Sequence, residues 1–135
     1  MSPIPSGPRE RVRLRANKRC EYCSKPEDAN GFSHQVDHII PERHGGVSDT
    51  HNFAWACFRY NNSKGTDIAS YDPVTKQLTP LFNPRIQKWD EHFEMDEDGI
   101  IVGTTPVSRV TILILDMNRP RQIEIRRNLI EAGLW

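Results

Sequence analysis

The chain has 135 residues, 36% hydrophobic and 27% charged, with a formal net charge of zero and three cysteines. That length suits one domain with room for an appended subdomain, and the composition is that of an ordinary soluble globular chain. The apolar runs are too short to span a bilayer, and Met1 to Pro5 lacks the apolar segment of a secretory signal. An intracellular, cytoplasmic protein with no membrane partner is expected. An odd cysteine count in such a chain argues against a disulfide framework.

In chain order, residues 1–8 hold three prolines and a glycine and are expected to form a flexible tail. Residues 9–18 lack Pro and Gly and read as a helix. Between Arg9 and Arg19 stand six basic residues (Arg9, Arg11, Arg13, Arg15, Lys18, Arg19) against one acid, Glu10. Such a cluster suits a phosphate backbone or, more plainly, a solvated helix face. The same bias extends over the first half: residues 1–65 carry ten basic and seven acidic residues, and residues 66–135 carry eight and eleven. Cys20-x-x-Cys23 is a tight turn suited to a metal knuckle rather than a redox pair, because Ser24 to Asp28 continues as a turn. Phe32 to Val36 reads as a short strand leading into Asp37-His38, and Gly45-Gly46 marks a loop. Asn52 to Asn62 has the apolar spacing of a helix, closed by Gly65.

From Ala69 the texture changes. Tyr71-Asp72-Pro73 reads as a turn, and Leu81 to Arg85 starts a short helix carrying Trp89. Phe93 to Met95 and Ile100 to Gly103 form a hairpin around Asp96-Glu97-Asp98-Gly99. Thr105-Pro106 is a helix start, although Val110 to Leu115 is β-branched enough to suit helix or strand. Residues 120–132 read as a final helix.

The chemistry-bearing residues fall in a definite order: Cys20-x-x-Cys23, then Asp37-His38-Ile39-Ile40-Pro41 and Gly45-Gly46, then His51-Asn52, then Cys57-Phe58-Arg59-Tyr60-Asn61-Asn62-Ser63-Lys64-Gly65. Phosphodiester hydrolysis needs a base, a cation to neutralise developing charge, and groups that hold the backbone. His38, with an imidazole pKa of roughly 6.5 when unperturbed, is a suitable base. Asp37 is a hard oxygen ligand for Mg²⁺ or Mn²⁺. Neighbours on a regular strand point to opposite faces, so the two can share a site only where the strand ends.

This ordered set, over about residues 10–65, resembles the HNH endonuclease family of ββα-metal nucleases. The resemblance implies an α+β fold, a ββα-metal core over residues 9–70 with an N-terminal basic helix, and hydrolysis of DNA with one Mg²⁺ or Mn²⁺ per site. It gives His38 the role of general base and Asp37 and Asn61 those of metal ligands, with Asn62 as competitor to Asn61. Asn52 is expected to brace the loop that carries the histidine. Lys64, three residues beyond Asn61 on the same helix face, is expected to contact a phosphate together with Arg59 and the basic-helix residues Arg11, Arg13 and Arg15. Cleavage of both strands from a single site per chain would favour a homodimer.

Many family members carry a second Cys-x-x-Cys that completes a zinc site. Here Tyr60 stands at the fourth position. Two outcomes follow: Cys20, Cys23 and Cys57 hold Zn²⁺ with water or with His34, His44 or His51, or the site is empty and Tyr60 packs over the thiols. Residues 71–135 also resemble an extension found in small stand-alone bacterial HNH proteins, through Pro80-Leu81-Phe82-Asn83-Pro84-Arg85, Trp89, His92-Phe93 and Gly103-Thr104-Thr105. This hairpin-plus-helices extension is expected to pack on the core, with Arg85, Arg109, Arg126 and Arg127 extending a DNA surface. The competing functions are a catalytically silent DNA-binding module of the same fold and a zinc-knuckle interaction domain. Loss of the fourth cysteine and retention of Asp37-His38 count against the latter.

Overall fold

In a computed structural model of the chain, which describes residues 4–28 and 33–135, the run Phe53 to Cys57 is a β-strand. The sequence reads as helix there, and the reason for the difference is burial. Strand β2 (Phe53–Cys57) is buried at all five positions. It pairs antiparallel with β1 (His34–His38), placing Asp37 opposite Ala54 and His38 opposite Phe53. Helix α1 (Ser6–Arg15) covers one face, where Val12 meets Val36, Phe53 and Trp55 with Ile4 and Ala16 alongside. Helix α2 (Phe58–Lys64) also packs against both strands. A strand buried on both faces carries no polar alternation, so periodicity cannot separate it from a buried helix. The helical part of the expected segment starts only at Phe58 and ends at Gly65, whose φ is +51°.

Residues Met1–Ile68 form one compact unit and Ala69–Trp135 a second. In the first, α1 begins at Ser6, inside the expected tail, and stops at Arg15 because Asn17 and Lys18 take left-handed backbone conformations. The order β1, β2, α2 is a ββα unit, with α1 and the Cys20–Cys23 turn added before it. Phe32, expected to open the first strand, lies outside the described residues.

The second unit contains a hairpin that the sequence reading lacks, β3 (Ala69–Tyr71) with β4 (Leu78–Pro80), around the expected turn. The hairpin of β5 (Phe93–Met95) and β6 (Ile101–Gly103) follows the Asp-rich turn as expected. Residues 106–115 are helical: α3 (Pro106–Leu115) is fixed at its start by a capping box between Thr105 and Ser108. The last helix is α4 (Pro120–Glu131). No helix forms over Leu81 to Arg85. Side chains take the backbone groups there, with Asn83 Oδ1 accepting from Arg85 N–H and Gln87 Oε1 from Asn83 N–H. Trp89 instead heads a 3₁₀ turn and stacks on Phe93. This unit has its own core, which includes Phe82, Phe93, Ile101, Val110, Leu115 and Met117.

Two arginines expected at a DNA surface point inward. The guanidinium of Arg126 is buried and donates to Gly99 O and Asn118 Oδ1. Arg109 makes a two-pronged bond to the buried carboxylate of Asp72, at 2.8 and 2.9 Å. Asp72 also accepts from Thr75 N–H, and these bonds, Arg109 foremost, hold its carboxyl well below the usual carboxylate range. A depressed native pKa contributes stability that is present above the unfolded value, near 3.9, and is lost as pH falls below it. Thermal melts of the wild type are therefore expected to drop steeply between about pH 5 and pH 2, and those of Asp72→Asn less steeply. Equal slopes would remove the pair as the acid-sensitive element. Among the described residues, no helix is long and apolar enough to cross a membrane.

Candidate functional site

Asp37 and His38 are the last two residues of β1, where the ladder gives way to a loop. The loop turns sharply at Gly45, with φ +86°, and folds back so closely at Gly46 that a Cβ there would lie 1.6 Å from Ile40 O. Only glycine permits that approach. The buried side chain of Asn52 closes the loop from the other side. Its Oδ1 accepts from Ile40 N–H at 3.0 Å, and its Nδ2 donates to Ile40 O at 2.9 Å and Val47 O at 2.8 Å. Ile39 N–H adds a bond to Asn52 O.

The strand end and α2 border one cleft of about 440 Å³, lined among others by Gln35, Asp37, His38, Glu42, Arg43 and Asn61. Asp37 and His38 thus share a site although they are strand neighbours. Asn61 donates from Nδ2 to Gln35 Oε1 at 2.9 Å, which leaves its amide oxygen as the atom suited to a ligand role. Asn62 lines the same cleft and is exposed.

His38 is 4% exposed, with its ring edge-on to Phe53. Its Nε2 lies 3.0 Å from Ser48 Oγ and 3.6 Å from Glu42 Oε1. Its Nδ1 is buried and has no hydrogen-bond partner among the described residues. With the Glu42 carboxylate on the Nε2 side and Ser48 Oγ able to accept, protonation at Nε2 is favoured, which puts the lone pair on Nδ1.

Asp37 is 2% exposed, and both its oxygens are engaged. Tyr22 Oη donates to Oδ2 at 2.7 Å and Lys64 Nζ to Oδ1 at 3.1 Å. Burial pushes the Asp37 carboxyl up, and Lys64 and then Tyr22 oppose the shift. Burial, then the carboxylate, pushes the Tyr22 phenol well above its ordinary value, so it remains a donor at neutral pH. Lys64 itself is 2% exposed and also donates to His38 O and Ile39 O. The expectation that it contacts a phosphate is corrected: its helix face is the expected one, but its ammonium points inward.

The basic helix is also engaged. Arg13 bonds to Glu27 and Glu10, and Arg15 donates to the carbonyls of Thr50 and Phe53. Arg9 lies over the Trp55 ring. Arg11 and Arg59 are exposed, as is Arg43 at the cleft.

Cys20, Cys23 and Cys57 are buried, and their sulfurs lie within 4.8 Å of one another, a cluster that can hold a metal ion. Cys23 Sγ and Cys57 Sγ are 3.8 Å apart. A tetrahedron with Zn–S bonds of about 2.3 Å has an edge of about 3.8 Å, so this pair matches one edge of such a site. Burial pushes the Cys20 thiol up and hydrogen bonds with its neighbours push Cys57 up, whereas at Cys23 burial is outweighed by bonds from Cys20, Cys57 and Tyr60, which lower the thiol. Tyr60 is fully buried beside them. No histidine completes the set. His34 bonds to Ser33 Oγ and Lys25 O, His44 to Thr66 O, and exposed His51 pairs with Asp49.

Four residues of the site carried no sequence signal: Tyr22, Gln35, Glu42 and Ser48. Tyr22 stood between the two cysteines of the knuckle and Glu42 directly after Pro41, but neither residue type there marks a role by itself. Residues 20–67 match the family model described as HNH endonuclease, a family of nucleases that act on DNA. No curated protein and no solved structure matches the chain.

Proposed function

We propose that the protein is a metal-dependent DNA endonuclease, with its chemistry in the first unit. The observation that carries this reading is the meeting of Asp37, His38 and Asn61 on one cleft. The carboxylate of Asp37 and the amide oxygen of Asn61 are hard oxygen donors of the kind that suit one Mg²⁺ or Mn²⁺. When bound, such a cation supplies charge neutralisation at the scissile phosphate and the leaving 3′ oxygen.

The chain's own groups do the rest. His38 Nδ1 takes the proton of the attacking water, while Ser48 and Glu42 hold the ring by its other nitrogen. Asn52 keeps the loop closed, and Gln35 orients Asn61. Arg11, Arg43 and Arg59 are exposed cations suited to phosphate contact, whereas Arg13 and Arg15 hold α1 to its neighbours. Cys20, Cys23 and Cys57 supply three ligands of a structural Zn²⁺.

One observation favours the silent DNA-binding alternative: Asp37 already has a hydrogen bond on each oxygen. A carboxylate offers about four lone-pair sites, so two remain for a cation. The test is incubation of the purified chain with supercoiled plasmid. Nicking or linearisation with Mg²⁺ or Mn²⁺ that stops on adding EDTA is expected. DNA binding without cleavage under any divalent ion would replace the enzyme with the silent module.

A further inference from the structure

Tyr22 lies inside the cysteine knuckle and has two ends on two different sites. Its backbone N–H donates to Cys20 Sγ at 3.3 Å, and its phenol donates to Asp37 Oδ2 at 2.7 Å. The residue is 1% exposed, so neither contact competes with water. The neighbouring residue pins the knuckle to the sheet: Glu21 N–H donates to Trp55 O, and Trp55 N–H donates to the Glu21 carboxylate, both at 2.8 Å. The knuckle therefore has a fixed position relative to β2, and the Tyr22 ring carries that position across to the end of β1. There the phenol grips one oxygen of Asp37 while Lys64 grips the other. A carboxylate held at both oxygens keeps its remaining lone pairs in one direction.

We propose that Tyr22 is a positioning residue for Asp37, and that through it the cation-binding geometry of the cleft depends on the integrity of the cysteine cluster. The proposal rests on the nuclease reading for its functional meaning, but its physical content is an affinity for a cation. A buried phenol needs some acceptor, and a backbone carbonyl would satisfy it. Bonding the carboxylate that faces the cleft makes the contact more than packing. Partners of metal ligands typically tune affinity or activity by about 10–100-fold.

The test uses the full chain and Tyr22→Phe, which removes one oxygen and keeps the ring. Mn²⁺ binding, read by electron paramagnetic resonance, is expected to weaken by about tenfold or more. In plasmid cleavage, kcat at fixed Mn²⁺ should fall by a similar factor, with KM for DNA unchanged and little change in the thermal melt. A purely structural role would instead lower the melt and leave Mn²⁺ affinity alone. Cys20→Ser should weaken Mn²⁺ binding in the wild-type background and add nothing to Tyr22→Phe. If that variant does not fold, blocking the thiols of wild type and Tyr22→Phe with a mercurial makes the same comparison.

Wild-type Mn²⁺ affinity in Tyr22→Phe overturns the positioning role. Additive effects of thiol loss and Tyr22→Phe overturn the coupling to the cluster. A wild type that binds Mn²⁺ without cutting DNA removes the nuclease reading alone, and the affinities still decide the proposal. A wild type that binds no Mn²⁺ overturns both.

Discussion

His38→Ala is expected to lower plasmid cleavage by about 10³-fold or more while leaving DNA affinity within about twofold. A positioned general base contributes roughly 10²–10⁴ in rate, and among the described residues no other imidazole lines the cleft. The ring borders the cleft rather than an exposed cationic surface, so its loss removes no phosphate contact. Single-turnover cleavage at saturating Mg²⁺, beside filter binding of the same DNA, separates the two quantities. His38→Ala also empties space beside Phe53, whose ring centroid is 5.0 Å from the imidazole. A far-ultraviolet melt of the variant guards against mistaking unfolding for lost chemistry. A folded variant that cuts at the wild-type rate would falsify the mechanism.

Lys64→Ala is expected to destabilise the first unit by roughly 3–5 kcal/mol, the range for breaking one side of a buried ion pair. The ammonium satisfies Asp37 and the carbonyls of His38 and Ile39 at once, from a position 2% exposed. Its removal strands a buried charge and two buried acceptors. A unit of under 70 residues has little margin for such a loss. Adding Asp37→Asn to Lys64→Ala should recover part of it, because the orphaned charge goes with the carboxylate. Chemical denaturation of the single and double variants measures both. A phosphate-contacting lysine behaves in the opposite way: the fold stays intact and the salt slope of DNA binding falls by about one. That outcome would return Lys64 to the surface role its spacing suggests.

The contrast at Lys64 shows how far the sequence is legible. Spacing placed it on the helix face of Asn61, because helix geometry is local. Whether that face meets water or the end of β1 depends on packing between elements. Arg13, Arg15, Arg109 and Arg126 repeat the lesson. Their charge is visible in the sequence, but their partners (Glu27, the Thr50 and Phe53 carbonyls, Asp72, Asn118) lie eight to 38 residues away. Phe53 to Cys57 fails for a related reason, since a strand covered on both sides loses its alternation. Tyr22, Gln35 and Ser48 escaped notice because a single hydroxyl or amide means nothing until a fold brings it to a carboxylate or an imidazole.

The order of Cys20-x-x-Cys23, Asp37-His38, Gly45-Gly46, Asn52 and Asn61 carried the resemblance to the HNH endonuclease family, whose model matches residues 20–67. The caps and turn residues marked the hairpin at Asp96 to Gly99 and the start of α3, because those signals act within a few residues along the chain. Only tertiary structure decided which cations are free for a ligand, which nitrogen of His38 is left open, and that the cysteine knuckle reaches Asp37 through Tyr22. Each of these depends on contacts between distant segments, where burial and hydrogen-bond satisfaction outweigh local preference.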